Sequence, residues 1–194
     1  MGKRRRRLTA YLLVLVLLAV ASVYFVSHYA TAQPNAAYDS LNLSSRFATL
    51  SQAHTNLCAL PTFVDSLSNG SYLQGSCCSY MNFTSYVEQV NALHNYSGVS
   101  AVPKDPYNIS VSLAKRLLGY QNLSLTSGQQ AVFDSAMQMS QPCCCHCWRW
   151  FAFAGQAKYL IVNYNFGAAQ IAKVWGLEDG CGGPLDSAGF NPAV

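Results

Sequence analysis

Apolar positions along the chain follow two patterns. From Leu8 to Val26 they are continuous, LTAYLLVLVLLAVASVYFV, with no charged residue. A spanning helix needs about 20 apolar residues, so this run predicts a transmembrane helix. Beyond it, apolar residues recur every two to four positions, the period of helices half buried on a core. Leu41, Leu43, Phe47, Leu50, His54 and Leu57 form the first such stripe. It predicts a helical stalk over residues 31–60, separated from the anchor by Gln33-Pro34-Asn35 and closed by Pro61. Phe83 to Leu93, with Tyr86, Val87, Val90 and Leu93 on one side, predicts a short helix. Ser110 to Leu118 predicts another, with Val111, Ala114, Leu117 and Leu118 on one face and Gly119 near its end. Thr126 and Gln129 have capping-box spacing, opening a helix that runs to about Met139 and packs Val132, Phe133, Ala136 and Met137. Ala154 to Tyr164 (Ala157, Leu160, Ile161 and Tyr164 inward) and Ala168 to Trp175 (Ile171, Ala172 and Trp175 inward, Gly176 as C-cap) predict a helical hairpin. Asn165-Phe166-Gly167 is its turn. No alternating run rich in Val, Ile or Thr argues for a strand. The expected class is mainly α: a single N-terminal transmembrane helix, then a small helical, Cys-rich extracytoplasmic domain.

Charge sets the orientation. The net charge of +4 is misleading, because five of the 12 basic residues are Lys3, Arg4, Arg5, Arg6 and Arg7. The rest of the chain carries seven against eight acidic residues, with no basic patch for nucleic acid. A basic cluster directly before an apolar run puts residues 1–7 in the cytoplasm, 8–30 in the membrane as an anchor, and the stalk and an ectodomain over 61–194 outside. Ala30-Thr31-Ala32 offers a cleavage site, but the apolar run exceeds the roughly 7–15 residues of a signal peptide, which favours a retained, single-pass anchor. Charged residues make up only 10% of the chain, against about 25% in soluble domains. Six N-x-Ser/Thr sites, Asn42, Asn69, Asn82, Asn95, Asn108 and Asn122, stop at position 122, and glycans there would supply the missing surface polarity.

The chemistry concentrates in Pro142-Cys143-Cys144-Cys145-His146-Cys147-Trp148-Arg149-Trp150, which holds four of the eight cysteines. An ordinary core has no use for such a run. Cys143, Cys145 and Cys147 would share one side if extended, Cys143 and Cys147 one face if helical, and several could turn inward on one ion if the segment is a loop after Pro142. They are the first candidate metal ligands. His146 and Cys181 come next, and Cys144 last. Cys181 lies in a glycine-rich turn that the predicted hairpin returns to the cluster. Met137 and Met139 form a Met-x-Met just upstream, and thioethers favour Cu(I), so copper is the first reading and zinc the second. Paired C-x₂₋₄-C zinc knuckles are absent. Trp148, Trp150, Phe151 and Phe153 read as core cover.

Outside a cell, disulfides persist and compete with metal. Cys58 is expected to bridge to Cys77 or Cys78, since adjacent cysteines bridge only under strain. A disulfide-stapled, N-glycosylated interaction module is therefore the alternative function. A thiol–disulfide oxidoreductase using Cys144 and Cys147 is the third. No Ser or His at a telling spacing supports Glu178, Asp179 or Asp186 as acid/base groups. They read as solvated turn residues or caps, and a binding role is favoured over an enzyme. His54 and His94 stand alone.

Pro142-Cys143-Cys144-Cys145-His146-Cys147 resembles the motif of an exported bacterial family known by its Pro-Cys-Tyr-Cys-Gly-Cys sequence. The resemblance covers these six residues and extends at most to Gly183. It places motif cysteines on Cys143, Cys145 and Cys147. The chain has Cys144 where the family has Tyr, and His146 where it has Gly, and both departures add ligands. The resemblance implies an exported, Cys-rich, metal-associated domain, and no activity.

Overall fold

The structure, a computed structural model, describes residues 34–183, with side chains from Asn42 onward. The predicted anchor at 8–30 and the terminus from Pro184, Asp186 included, lie outside the described residues. No helix among the described residues is long and apolar enough to cross a membrane. The chain divides after Ser44 into two units, and the second carries all eight cysteines.

Among the described residues the fold is mainly helical, as the apolar spacing predicts. Its helices are α1 (Pro34–Leu50), α2 (Pro61–Ser66), α3 (Phe83–Leu93), α4 (Val111–Gly119), α5 (Ser127–Met139), α6 (Trp148–Tyr164) and α7 (Ala168–Leu177). One-turn 3-10 helices follow α3 and α4. Two strands, β1 (Tyr72–Gln74) and β2 (Asn108–Ser110), pair antiparallel with Leu73 opposite Ile109. They are too short to leave an alternating pattern, and both central residues are buried.

Local signals account for the helix ends. Thr126 caps α5 in a reciprocal capping box with Gln129, as expected. Asn82 and Ser110 accept from the backbone N–H three residues on and start α3 and α4. Asn165, in the left-handed region at φ 55°, closes α6.

Five expectations are corrected. The first helix stops at Leu50, not at residue 60, because Thr55 and Asn56 donate their backbone N–H groups to the Gln74 carbonyl instead. Pro61 opens α2 rather than ending a helix, its missing N–H costing nothing at the first turn. α6 begins at Trp148, six residues before the predicted start, so the aromatic run is itself helical. α7 runs through Gly176 to Leu177, with Glu178 as its cap. Tyr164, expected inward, is exposed.

The core forms around α6, which packs on α2, α4 and α5. Trp148, Ala152, Phe153, Ala157 and Leu160 meet Val111, Ala114 and Leu117 of α4 and Ile171, Val174 and Trp175 of α7 in one buried cluster. Burial of a large apolar side chain stabilises by about 1.5–3 kcal/mol, and α6 supplies Trp148, Phe153, Leu160 and Ile161 to that cluster. Asp105, also buried, accepts from Arg46, from the Tyr86 hydroxyl at 2.9 Å and from the Tyr107 N–H at 2.9 Å.

Candidate metal centre

Four separate segments deliver all eight cysteines to one place. Residues 57–59 are pinned to the start of α6: the Trp148 N–H donates to the Ala59 carbonyl at 2.7 Å, and the Trp148 indole to the Leu57 carbonyl at 3.1 Å. Cys58 is thereby set against Cys145, sulfur to sulfur at 2.7 Å. Residues 77–81 run beside 180–183. Cys77 donates to the Gly180 carbonyl, Cys78 and Ser79 to the Cys181 carbonyl, and Gly183 to the Tyr80 carbonyl. Glycine is required there, since a β-carbon on Gly182 would lie 2.2 Å from the Ser79 carbonyl oxygen and φ is +84°.

The sulfur network is continuous. Cys143 lies 3.8 Å from Cys147 and 3.4 Å from Cys181. Cys181 lies 2.9 Å from Cys144 and 3.8 Å from Cys77. Cys78 is 3.5 Å from Cys77 and 3.8 Å from Cys144. Zn–S bonds of about 2.3 Å in a tetrahedron give S–S edges of about 3.8 Å, the separation of three of these pairs. Four groups of three cysteines have sulfurs mutually within 4.8 Å: Cys58/Cys145/Cys147, Cys77/Cys78/Cys181, Cys78/Cys144/Cys145 and Cys143/Cys144/Cys181. These groups could hold a metal ion. Cys143, Cys147 and Cys181 form the buried floor, with Trp150 packed on it, and Cys58, Cys78 and Cys144 lie exposed.

The candidate ligands therefore separate. Cys143, Cys144, Cys145, Cys147 and Cys181 come together as expected. Cys58, Cys77 and Cys78, expected as a disulfide set apart, join them, and Cys58 faces Cys145 rather than Cys77 or Cys78. His146 belongs to none of the four groups, and its ring sits 4.7 Å from that of Trp150. Met137 packs against the main core. Met139 is half exposed and lines a cleft of about 390 Å³ that also touches Cys143, Cys144, Trp175 and Asp179. Of the sequons, Asn42, Asn69, Asn82, Asn95 and Asn122 are exposed, while Asn108 lies half buried in β2 and accepts from Gln74.

Beneath the sulfurs lies Arg149, 1% exposed, between the rings of Trp148 and Phe153. Its Nη2 donates to the carbonyls of Pro106 at 2.9 Å and Glu178 at 2.7 Å. Burial opposes its charge, but Cys77, Cys143, Cys181 and Asp179 hold it protonated. Glu178 is fully buried rather than solvated, and burial pushes its carboxyl well above the usual range despite a hydrogen bond from Gln156. Asp179 does take the expected turn role, accepting from the Cys181 N–H at 3.0 Å.

The thiols divide in the same way. A hydrogen bond from Cys147 lowers Cys143 to about 6, and hydrogen bonds from Cys143 and Cys77 lower Cys181 to about 5. Their donors are raised in turn: Cys77 through its bonds to Cys143 and Cys181, and Cys147 through its bond to Cys143. Cys144 and Cys145 are raised first by burial. Cys143 and Cys181 are thus the thiols whose ionisation the cluster favours, and both lie above a buried cation.

Arg149, and the joining of Cys58, Cys77 and Cys78 to the other five cysteines, are what sequence reasoning missed. The signal for Arg149 was present: one charge inside WRWFAFA has no polar face to occupy. No protein-family model matches the chain, and no curated protein or solved structure is significantly similar to it.

Proposed function

We propose that this domain binds a soft metal ion through its cysteines, Cu(I) first and zinc second, on the outer side of a membrane to which residues 8–30 anchor it. The single observation that carries the reading is the convergence of eight thiols from four chain segments into overlapping three-sulfur groups. Soft thiolates select Cu(I) and zinc over hard cations. Groups of three suit Cu(I), which accepts three ligands, more directly than tetrahedral zinc. The membrane placement rests on the basic cluster and apolar run, and the role would be storage, delivery or sensing.

The test is metal analysis of the full chain purified in mild detergent under reducing conditions. Bound copper or zinc is expected, and its loss when Cys143, Cys145 and Cys147 become Ser. A chain that takes up neither metal on reconstitution overturns the reading.

One observation favours a second reading, a disulfide-stapled, glycosylated module. The cysteines can be paired completely without joining neighbours: Cys58–Cys145 at 2.7 Å, with Cys77–Cys181, Cys78–Cys144 and Cys143–Cys147 each at 3.8 Å. Intact mass before and after reduction separates the two. An oxidoreductase built on Cys144 and Cys147 finds less support, because these two share none of the sulfur groups.

A further inference from the structure

The four three-sulfur groups are not independent. Cys78, Cys144, Cys145 and Cys181 each belong to two groups, and Cys58, Cys77, Cys143 and Cys147 each to one, so that every cysteine is used. Three of the groups close into a ring through Cys78, Cys144 and Cys181, and the fourth hangs from it by Cys145. A thiolate sulfur carries three lone pairs and can bridge two soft ions. A single mononuclear site would use three sulfurs and leave five beside it, although every one of the eight belongs to a three-sulfur group.

We propose that the eight thiolates hold four Cu(I) ions as one polynuclear cluster, each ion three-coordinate, with Cys78, Cys144, Cys145 and Cys181 bridging and the other four cysteines terminal. This rests on the metal-binding reading above and goes beyond it in number and connectivity. Eight thiols and four Cu(I) ions give a cluster of charge 4− and eight released protons. The buried guanidinium of Arg149 lies on its inner side, and the exposed Cys58, Cys78 and Cys144 put its outer side in solvent. No redox change is involved, since copper enters and stays as Cu(I).

The full chain, reduced and in mild detergent without oxygen, is titrated with Cu(I) against a bathocuproine competitor and read by native mass spectrometry and X-ray absorption. About four copper ions per chain are expected, with a Cu–Cu scattering shell. Cys58→Ser removes one terminal ligand and is expected to lose about one ion. Cys145→Ser removes a bridge and is expected to lose about two. Cys144→Ser, at an exposed position, repeats the bridging test independently. Saturation at one copper with no Cu–Cu shell overturns the cluster and leaves metal binding standing. Equal losses from Cys58→Ser and both bridging variants overturn the assignment of bridges. A chain that binds zinc but no copper overturns the proposal, and one that binds neither removes its foundation as well.

Discussion

Gly180 lies directly against the guanidinium of Arg149: a β-carbon built on it would sit 2.3 Å from Nη2 and 2.4 Å from Cζ. The same glycine accepts from the Cys77 N–H at 3.2 Å. One position thus seats the buried cation and joins two of the cysteine-bearing segments. Gly180→Ala is expected to displace Arg149 from the carbonyls of Pro106 and Glu178 and to cost about 1–3 kcal/mol, as overpacking a filled interior does. A lowered urea midpoint at unchanged slope would bear this out. An unchanged midpoint would show that Arg149 is free to move.

Arg149 itself is held by geometry as well as charge. Arg149→Met fills similar space but leaves two buried carbonyls without a donor, each worth about 1–3 kcal/mol. Arg149→Lys keeps the charge but cannot reproduce the planar fork. Chemical unfolding of the metal-free chain is expected to rank wild type above Lys above Met. If Met matches wild type, Arg149 adds nothing to the fold, and the buried thiolates need no counter-charge.

The apolar spacing made the helices legible because helices are local. α3 and α5 start where Asn82 and Thr126 cap them, within a turn of the residues that define the pattern. The pairing of β1 with β2 was illegible because three residues per strand carry no periodicity, and the register depends on contacts some 36 residues apart. The site was half legible. Cys143 to Cys147 announce themselves by crowding, but Cys58 reaches the same place through hydrogen bonds from Trp148 to its two neighbours, and Cys77 and Cys78 through backbone bonds to the Gly180 and Cys181 carbonyls. The start of α6 was missed for a related reason: with Arg149 turned inward, the aromatic run has no polar face to reveal a helical period.

Glu178 makes stability depend on pH. Its carboxyl titrates above the ordinary range in the folded chain because burial disfavours the charge. Between the unfolded and folded pKa values the native state therefore holds the extra proton. Its contribution is fully present below the unfolded value, about 4.3, and is lost as the pH rises through the folded one. Glu178→Gln keeps an acceptor for the Gln156 amide and removes the titration. Denaturation at several pH values is expected to show a falling stability above about pH 4.3 in wild type that flattens in the Gln variant. An equal slope in both would place the titration elsewhere.

Two of the eight thiols are expected to ionise early. Cys143 and Cys181 are lowered to about 6 and about 5 by hydrogen bonds from neighbouring thiols. In the metal-free, reduced chain, thiolate ultraviolet absorbance is expected to retain the signal of two thiols at neutral pH and lose it as the pH falls through these values. Cys181→Ser removes the lower step. It also withdraws the acceptor of Cys77, whose own value is raised by its bonds to Cys143 and Cys181, so Cys77 is expected to ionise more readily in that variant. A single step near the ordinary thiol range would contradict the whole arrangement.

Asn82 serves two purposes that a careless substitution would confuse. It stands in an Asn82-Phe83-Thr84 sequon, and its side chain caps α3 by accepting from the Ser85 N–H at 3.0 Å. A glycan is joined through the amide nitrogen, so the capping oxygen stays available in the modified residue. Asn82→Gln would remove both the sequon and the cap, and losing a cap costs about 1 kcal/mol. Thr84→Ala removes the sequon alone, from an exposed helical position where Ala is the better helix former. If the site carries a glycan, both variants expressed in a glycosylating host are expected to lose one glycan's mass. Only Asn82→Gln is expected to lower the unfolding midpoint of the deglycosylated chain. Equal midpoints would mean that the cap contributes nothing to α3, and equal masses with wild type would show that Asn82 is unmodified.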